Sequence, residues 1–406
     1  MARRSWHSRR LGRATSSSTS PRESRASTTI RATAIRARRI ASSWMPFRNL
    51  ARIVLSYPWV PGSSSPPVPF ESRQTRRPGK SDDAEVPMRA IRPGIAMVEL
   101  MVSLFVVAIL VGLLLPAVQF ARETARKTQC RSNLRQIALA THEYSVAQGA
   151  FPPGCAPNGY SALVALLPYL DHESLFARVD YSIGEDDGPT ELRTVRVPVF
   201  YCPSDGAPTH LPQLQSVAGT NYAGNCGVWH LLRPFDGAFR YWDVAPKPGT
   251  GPPLRPSEFV DGLSNTSLFA DVPRSDGTYH RLRMVWNLPF AFGPGLAGLA
   301  SFREMCGGLP SDPKYSGWSG SPIGRGVPWS NGSITLGLYT HTLVPNAPSC
   351  YNGTAVRSAA ATAGGFHSRG INAAFADGHV DFLSNGIDLE TWMALGTRDQ
   401  GDVAHP

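Results

Sequence analysis

The feature that most restricts this chain is a nearly unbroken apolar run from Ile95 to Leu115, IAMVELMVSLFVVAILVGLLL, with Pro93-Gly94 in front of it. From Met101 to Leu115 there is no charge, and Ser103 is the single polar side chain. About 20 such residues cross a bilayer core as a helix. One acid interrupts the run: Glu99, five residues after Gly94. A carboxylate at that depth costs roughly 2.5–3.5 kcal/mol on insertion scales, so it requires a partner. The residues before the run read as leader, and those after it read as an exported domain.

Charge divides the chain at the same place. Residues 1–87 hold 17 of the 40 Lys and Arg but only 5 of the 30 Asp and Glu; the remainder holds 23 against 25. The net charge of +10 therefore belongs to the head, and the body is close to neutral. The head is rich in Arg, Ser, Thr and Ala and lacks sustained apolar periodicity, the composition of a disordered segment. Three readings of it stay open: a basic nucleic-acid-binding arm, a cytoplasmic extension held inside by its positive charge, or untranslated sequence upstream of a true start at Met88. The last is adopted, because Met88 opens a short basic leader, MRAIRPG, ending at Gly94. No nucleic-acid partner is expected, since the aromatics of the head are not interleaved with its basic runs.

All six cysteines, Cys130, Cys155, Cys202, Cys226, Cys306 and Cys350, lie beyond the apolar run. This suits an oxidising compartment, with up to three disulfides and fifteen possible pairings. Without a Cys-x-x-Cys the zinc and thioredoxin-type readings are weak.

After Leu115 the helical pattern continues instead of giving way to a cleavage site. Leu134, Ile137, Ala138, Thr141 and Tyr144 fall on one helical face, and Gly149 with Pro152-Pro153 ends it. Residues 95–149 are thus expected to form one helix, apolar in its first half and amphipathic in its second, about 80 Å long and bent at Pro116. An assembly device and a plain signal anchor both fit it. The stretch RPGIAMVELMVSLFVVAILVGLLLPAVQFARETARKTQCRSNLRQIALATHEY resembles the prepilin-type N-terminus of type IV pilins and type II secretion pseudopilins. The resemblance implies cleavage by a prepilin peptidase after Gly94, Ile95 as the new and N-methylated terminus, and Glu99 as an assembly contact neutralising a neighbouring subunit's amine. Those families commonly carry Phe-Thr-Leu where this chain has Ile95-Ala96-Met97. Arg122, Arg126, Lys127, Arg131 and Arg135 crowd the far side of the span, which the positive-inside rule would assign to the cytoplasm; the cysteines and the resemblance favour export.

Residues 150–406 are rich in Gly, Pro, Asn and Ser between short apolar runs, which predicts short strands and turns. Strands are expected at Val195–Tyr201, Asn221–Val228, Thr266–Ala270, Arg281–Trp286, Ile334–Leu343, Ile371–Ala376 and His379–Leu383. A helix over Tyr160–Leu170 is expected to be capped by Ser161, and residues 287–332 read as an irregular insertion. The fold class is α+β: a long N-terminal helix, transmembrane in its first half, then an antiparallel β-rich globular domain, pilin-like overall.

In FHSRGINAAFADGHVDFL, His367 and Asp377-Gly378 are separated by nine residues. This resembles the His-x(9)-Asp-Gly signature of a large bacterial family of uncharacterised pseudopilin-like proteins. QCRSNLRQIALATHEY, FPPG, YCPSD, DGLSNTSLFAD and DLETWMALGTRDQGDV fit the same family. Read physically, Asp377-Gly378 is a hairpin turn with Gly supplying positive φ, Phe375, Val380 and Phe382 are core, and Asp388 or Asn385 caps a last helix that Gly396 stops. His367 is expected to hydrogen-bond the hairpin from a neighbouring strand.

Chemistry is thinly represented. His367, His379, Asp377 and Asp381 form a weak metal candidate, because the turn should interrupt their alignment. Glu185-Asp186-Asp187 offers oxygen ligands to calcium, though a solvated turn is the plainer reading. There is no phosphate-binding Gly-Lys-Ser/Thr, no Gly-x-Ser-x-Gly and no His-Glu-x-x-His, so no enzyme, cofactor or small-molecule substrate is expected. The leading expectation is a pseudopilin-like structural subunit in the inner membrane, with its β domain in the periplasm or cell envelope. Its expected partners are prepilin peptidase, lipid and other pseudopilin-like subunits. A non-polymerising membrane-tethered binding protein and an exported metal-dependent hydrolase centred on His367 and Asp377 are the alternatives.

Overall fold

The computed structural model describes residues 96–401 apart from 209, 212–215, 243–249, 311–319, 322–323 and 354. The basic head, the leader, Met88, Gly94 and Ile95 lie outside the described residues, as does part of the expected insertion.

Helix α1 runs from Ala96 to Gln148 without a break, 53 residues with Pro116 inside. At 1.5 Å per residue it is about 80 Å long. It is long and apolar enough to cross a membrane, and its most apolar stretch is not buried by the rest of the chain. From Met97 to Phe120 its large apolar side chains face outward, as a lipid-facing helix requires. The second half does the opposite. Cys130, Leu134, Ile137, Ala138 and Thr141 are fully buried, and Tyr144 is half-buried. Removing Leu134 and Ile137 from water stabilises the packing by roughly 1.5–3 kcal/mol each. Gly149, at φ +74°, closes the helix with its N–H donating to the Ser145 carbonyl at 2.8 Å, the left-handed ending glycine favours.

Short helices come next: α2 (Ala162–Ala165), α3 (Glu173–Phe176) and α4 (Thr190–Thr194), with α5 (Gly295–Gly307) and α6 (Leu389–Ala394) further on. The strands are β1 (His210–Leu211), β2 (Val217–Ala218), β3 (Tyr222–Asn225), β4 (Ser267–Asp271), β5 (Val285–Asn287), β6 (Gly320–Ser321), β7 (Leu338–Tyr339), β8 (Ser349–Asn352), β9 (Ala355–Ala360), β10 (Gly370–Phe375) and β11 (Val380–Ser384). The main sheet has the order β11-β10-β4-β3-β7, a second has β6-β5-β8-β9, and β1 pairs with β2 alone. Helix α1 lies against β4, β10 and β11, so the stalk is part of the main core. A second core gathers Trp229, Trp286, Phe302, Cys306 and Cys350 between α5 and the smaller sheet.

The α+β, long-helix architecture is the one expected, with local differences. The ladders are antiparallel except β3–β7 and β5–β8, which are parallel. Val195–Tyr201 is not a strand: Pro198 lacks an N–H, and Pro198–Phe200 closes a 3-10 turn. Tyr160–Leu170 is two pieces, α2 and a 3-10 turn over Leu167–Leu170 that contains Pro168. Ser161 does not cap the first piece; its hydroxyl donates to the Trp329 carbonyl at 2.8 Å. Ile334–Leu343 shrinks to β7, because a turn with Thr335 at φ +83° precedes it. The described part of 287–332 contains α5, whose Leu299, Phe302 and Cys306 are buried.

Candidate functional site

The two ends of the His-x(9)-Asp-Gly stretch both meet the stalk. Strand β10 leaves Gly370, crosses the sheet between β4 and β11, and ends at Phe375. The turn after it places Gly378 at φ +92°, with its N–H donating to the Phe375 carbonyl at 2.9 Å. A Cβ at Gly378 would stand 3.4 Å from Nε2 of His142 on α1. His367 approaches the same helix near Glu123. Nineteen residues separate Glu123 from His142, about 28 Å of helix. The two ends of the signature therefore lie beside the stalk at two separate levels.

His367 is buried, with its side chain 1% exposed. Its Nε2 lies 3.4 Å from Cys202 Sγ and 3.6 Å from Asp271 Oδ2, while Nδ1 lies 3.6 Å from Glu123 Oε1. The expected hydrogen bond from His367 to the hairpin is not formed; the ring faces the stalk and β4 instead. Burial pushes its pKa down, opposed by Glu123. Asp271 ends β4 and is 2% exposed. Its Oδ2 accepts from the Asn372 backbone N–H at 2.7 Å and side-chain amide at 2.9 Å. Burial raises Asp271 to about 7, against the pull of those bonds and of Lys127. Lys127 Nζ sits 3.1 Å above the Phe382 ring, so Phe382 is a half-buried cation platform and not a core residue.

The site is stapled to the stalk. Cys130 of α1 is disulfide-bonded to Cys202, and Cys306 of α5 to Cys350 of β8. Cys155 and Cys226 are buried and outside these bonds. Around the first staple, Asn133 donates to the Tyr201 carbonyl at 2.8 Å and the Tyr222 hydroxyl to the Cys130 carbonyl at 3.3 Å. Ser204 donates to Glu123 Oε1 at 3.0 Å. Arg131 reaches the Val380 carbonyl and lies 3.6 Å from Asp381, so part of the basic cluster beyond the span is occupied by the domain.

The other sequence candidates lie apart from this cluster. Glu99 is exposed in the first turn of α1. Asp377 accepts from the His379 backbone N–H at 3.0 Å and contacts Nδ1 of the same residue. His379 Nε2 is 3.6 Å from Asp381 Oδ2, so the turn does not keep Asp377, His379 and Asp381 apart as expected. His367 is not in that group. Glu185 is not in a solvated turn: it is 2% exposed, accepts from Ser330 Oγ and from Asn331 Nδ2, and pairs with Arg193 at 3.4 Å. Both of its oxygens are engaged by protein groups, leaving Asp186 and Asp187 exposed. Asp388 caps α6 through the Glu390 and Thr391 N–H groups, each at 3.0 Å, whereas Asn385 accepts from Asn346. Asp271 and Glu123 escaped the sequence reading as site residues. The signal for Asp271 was an acid ending the buried apolar strand SLFAD.

Residues 119–390 match the model of a family described as a protein of unknown function, DUF1559. No curated protein and no solved structure matches the chain.

Proposed function

The chain belongs to the DUF1559 family, and from that premise we propose that it is a pseudopilin-like structural subunit anchored by α1 in the inner membrane. In this reading prepilin peptidase removes the leader after Gly94 and Ile95 becomes the methylated terminus. Copies then pack helix to helix in a type II secretion or type IV pilus-like assembly, with the β domain in the periplasm or cell envelope. Glu99 neutralises the terminal amine of a neighbour, which makes a carboxylate at membrane depth tolerable.

The observation that carries the reading is the continuity of α1. One helix has an outward apolar half and a half that completes the main core of the domain, so a force or register set in the membrane reaches the domain through a single continuous element. His367 and Asp377 serve in this reading as structural groups at the stalk and hairpin, not as a catalytic pair, since each has its own partners. A tethered binding protein that never polymerises would share the anchor but have no need of Glu99.

Two measurements test it. The mature N-terminus, read by mass spectrometry, is expected at Ile95; a retained leader refutes the peptidase step. In membranes, Glu99→Ala is expected to abolish crosslinked oligomers while insertion persists. Oligomers unchanged by the substitution would favour the tethered monomer.

A further inference from the structure

The contacts of His367 exceed what a disulfide needs. A cystine is satisfied by apolar packing, yet Cys130–Cys202 is flanked by a buried imidazole and a buried carboxylate, groups that are costly to desolvate. His367 turns Nε2 to Cys202 Sγ at 3.4 Å and Nδ1 to Glu123 Oε1 at 3.6 Å, and among the described residues Asp271 Oδ1 is buried without a hydrogen-bond partner. The two sulfurs and a ring nitrogen of His367 all lie within 4.8 Å of one another, and all three residues are buried. Asp271 Oδ2 adds an oxygen 3.6 Å from His367 Nε2. Two sulfurs and one imidazole from separated parts of the chain make three donors of the kind zinc takes, leaving a fourth position beside Asp271. Thiolates in such a set favour a soft or borderline ion over calcium or magnesium.

We propose that Cys130, Cys202 and His367 form a redox-gated Zn²⁺ site that replaces the disulfide when it is reduced, its fourth position open to water or to a turn of the nearby Asp271 carboxylate. A dithiol reductant supplies two electrons and two protons: its sulfurs join in a disulfide, the Cys130–Cys202 bond breaks, and two thiols form. Zn²⁺ then displaces both thiol protons and is held by the two thiolates and the imidazole, with water or Asp271 in the fourth position. Either closure joins the same points, residue 130 on the stalk and residue 202 on the domain. The stalk stays fastened in reducing as well as oxidising surroundings, by two chemistries that exclude each other. This assignment is independent of whether the chain polymerises.

The test uses the full chain in detergent, oxidised or reduced with a phosphine, whose conversion to the phosphine oxide supplies the electrons. Zn²⁺ is titrated against a chromophoric chelator, with near-ultraviolet circular dichroism recording the fold. The expected result is one tight zinc per reduced chain and none per oxidised chain. The Cys306→Ala/Cys350→Ala variant should keep that zinc, and His367→Ala should weaken it about tenfold or more. Because His367→Ala can fail to fold, Co²⁺ is also added to the reduced unsubstituted chain, where thiolate-to-metal charge transfer from two sulfurs is expected. Equal zinc binding by the oxidised chain overturns the proposal. So does a reduced, folded chain that takes no zinc, or a fold lost on reduction that zinc does not restore.

Discussion

Removing the Cys130–Cys202 staple tests how firmly the stalk belongs to the domain. The two cysteines are 72 residues apart in sequence, and a loop of that length closed by a disulfide removes unfolded-state entropy worth about 4 kcal/mol. Cys130→Ala/Cys202→Ala should therefore lower stability by roughly 2–5 kcal/mol, the usual range for losing a native disulfide. Denaturant unfolding followed by ¹⁹F NMR of fluorotryptophan-labelled protein, which resolves the nine tryptophans one by one, is suited to this. Trp329 is fully buried, and its ring centroid lies 5.3 Å from that of Phe200, two residues before Cys202. Trp286 reports instead on the second core. Loss of the staple should bring the Trp329 transition to lower denaturant, and the metal-free oxidised chain is the reference. A shift under about 1 kcal/mol, the scale of a single ordinary hydrogen bond, would refute the claim that this bond fastens stalk to domain. A normal transition at Trp329 with an early one at Trp286 would refute it equally.

The geometry predicts three further outcomes. His341 is fully buried, stacked on Trp392 at 3.9 Å, and burial pushes its pKa down to about 3. A depressed histidine stabilises the fold above its unfolded value and loses that contribution as pH falls towards 3, at about 1.4 kcal/mol per unit. His341→Gln should thus flatten the acid limb of the urea midpoint; the difference from the parent isolates it, because Asp236 and Asp271, raised to about 6 and about 7, act in the opposite sense. Gly378→Ala forces a side chain into φ +92° beside His142 and should cost about 1–2 kcal/mol, seen as a lower melting temperature. Glu185→Ala strips the shared acceptor from Ser330, Asn331 and Arg193 and should cost roughly 3–5 kcal/mol, while added calcium leaves the parent's melting temperature unchanged.

What could be read along the chain was local. The apolar run, the 134–144 face, the Gly149 stop, the Asp377-Gly378 turn and the Asp388 cap each rest on residues within a few positions of one another, where periodicity and turn chemistry suffice. The helix α5 was hidden by its glycines, although Leu299, Phe302 and Cys306 already stood at helical spacing. The parallel ladders and the two cystines join residues distant in sequence, 44 or more positions apart in the disulfides, and cannot be deduced from spacing. The same holds for His367, whose neighbours Glu123, Cys202 and Asp271 come from three distant segments. Its motif pointed to the hairpin, but the tertiary fold turned it to the stalk.

The unbroken helix also fixes a direction. A regular α-helix turns about 100° per residue. Over the 31 residues from Glu99 to Cys130 a helix regular through Pro116 puts the acid about 140° around the axis from Cys130. A neighbour seeking that carboxylate would come to the bare flank of the rod, with the domain standing behind it. In the assembly proposed above, every copy would then carry its domain on the same outer azimuth, giving the bundle a helical interior and a β exterior.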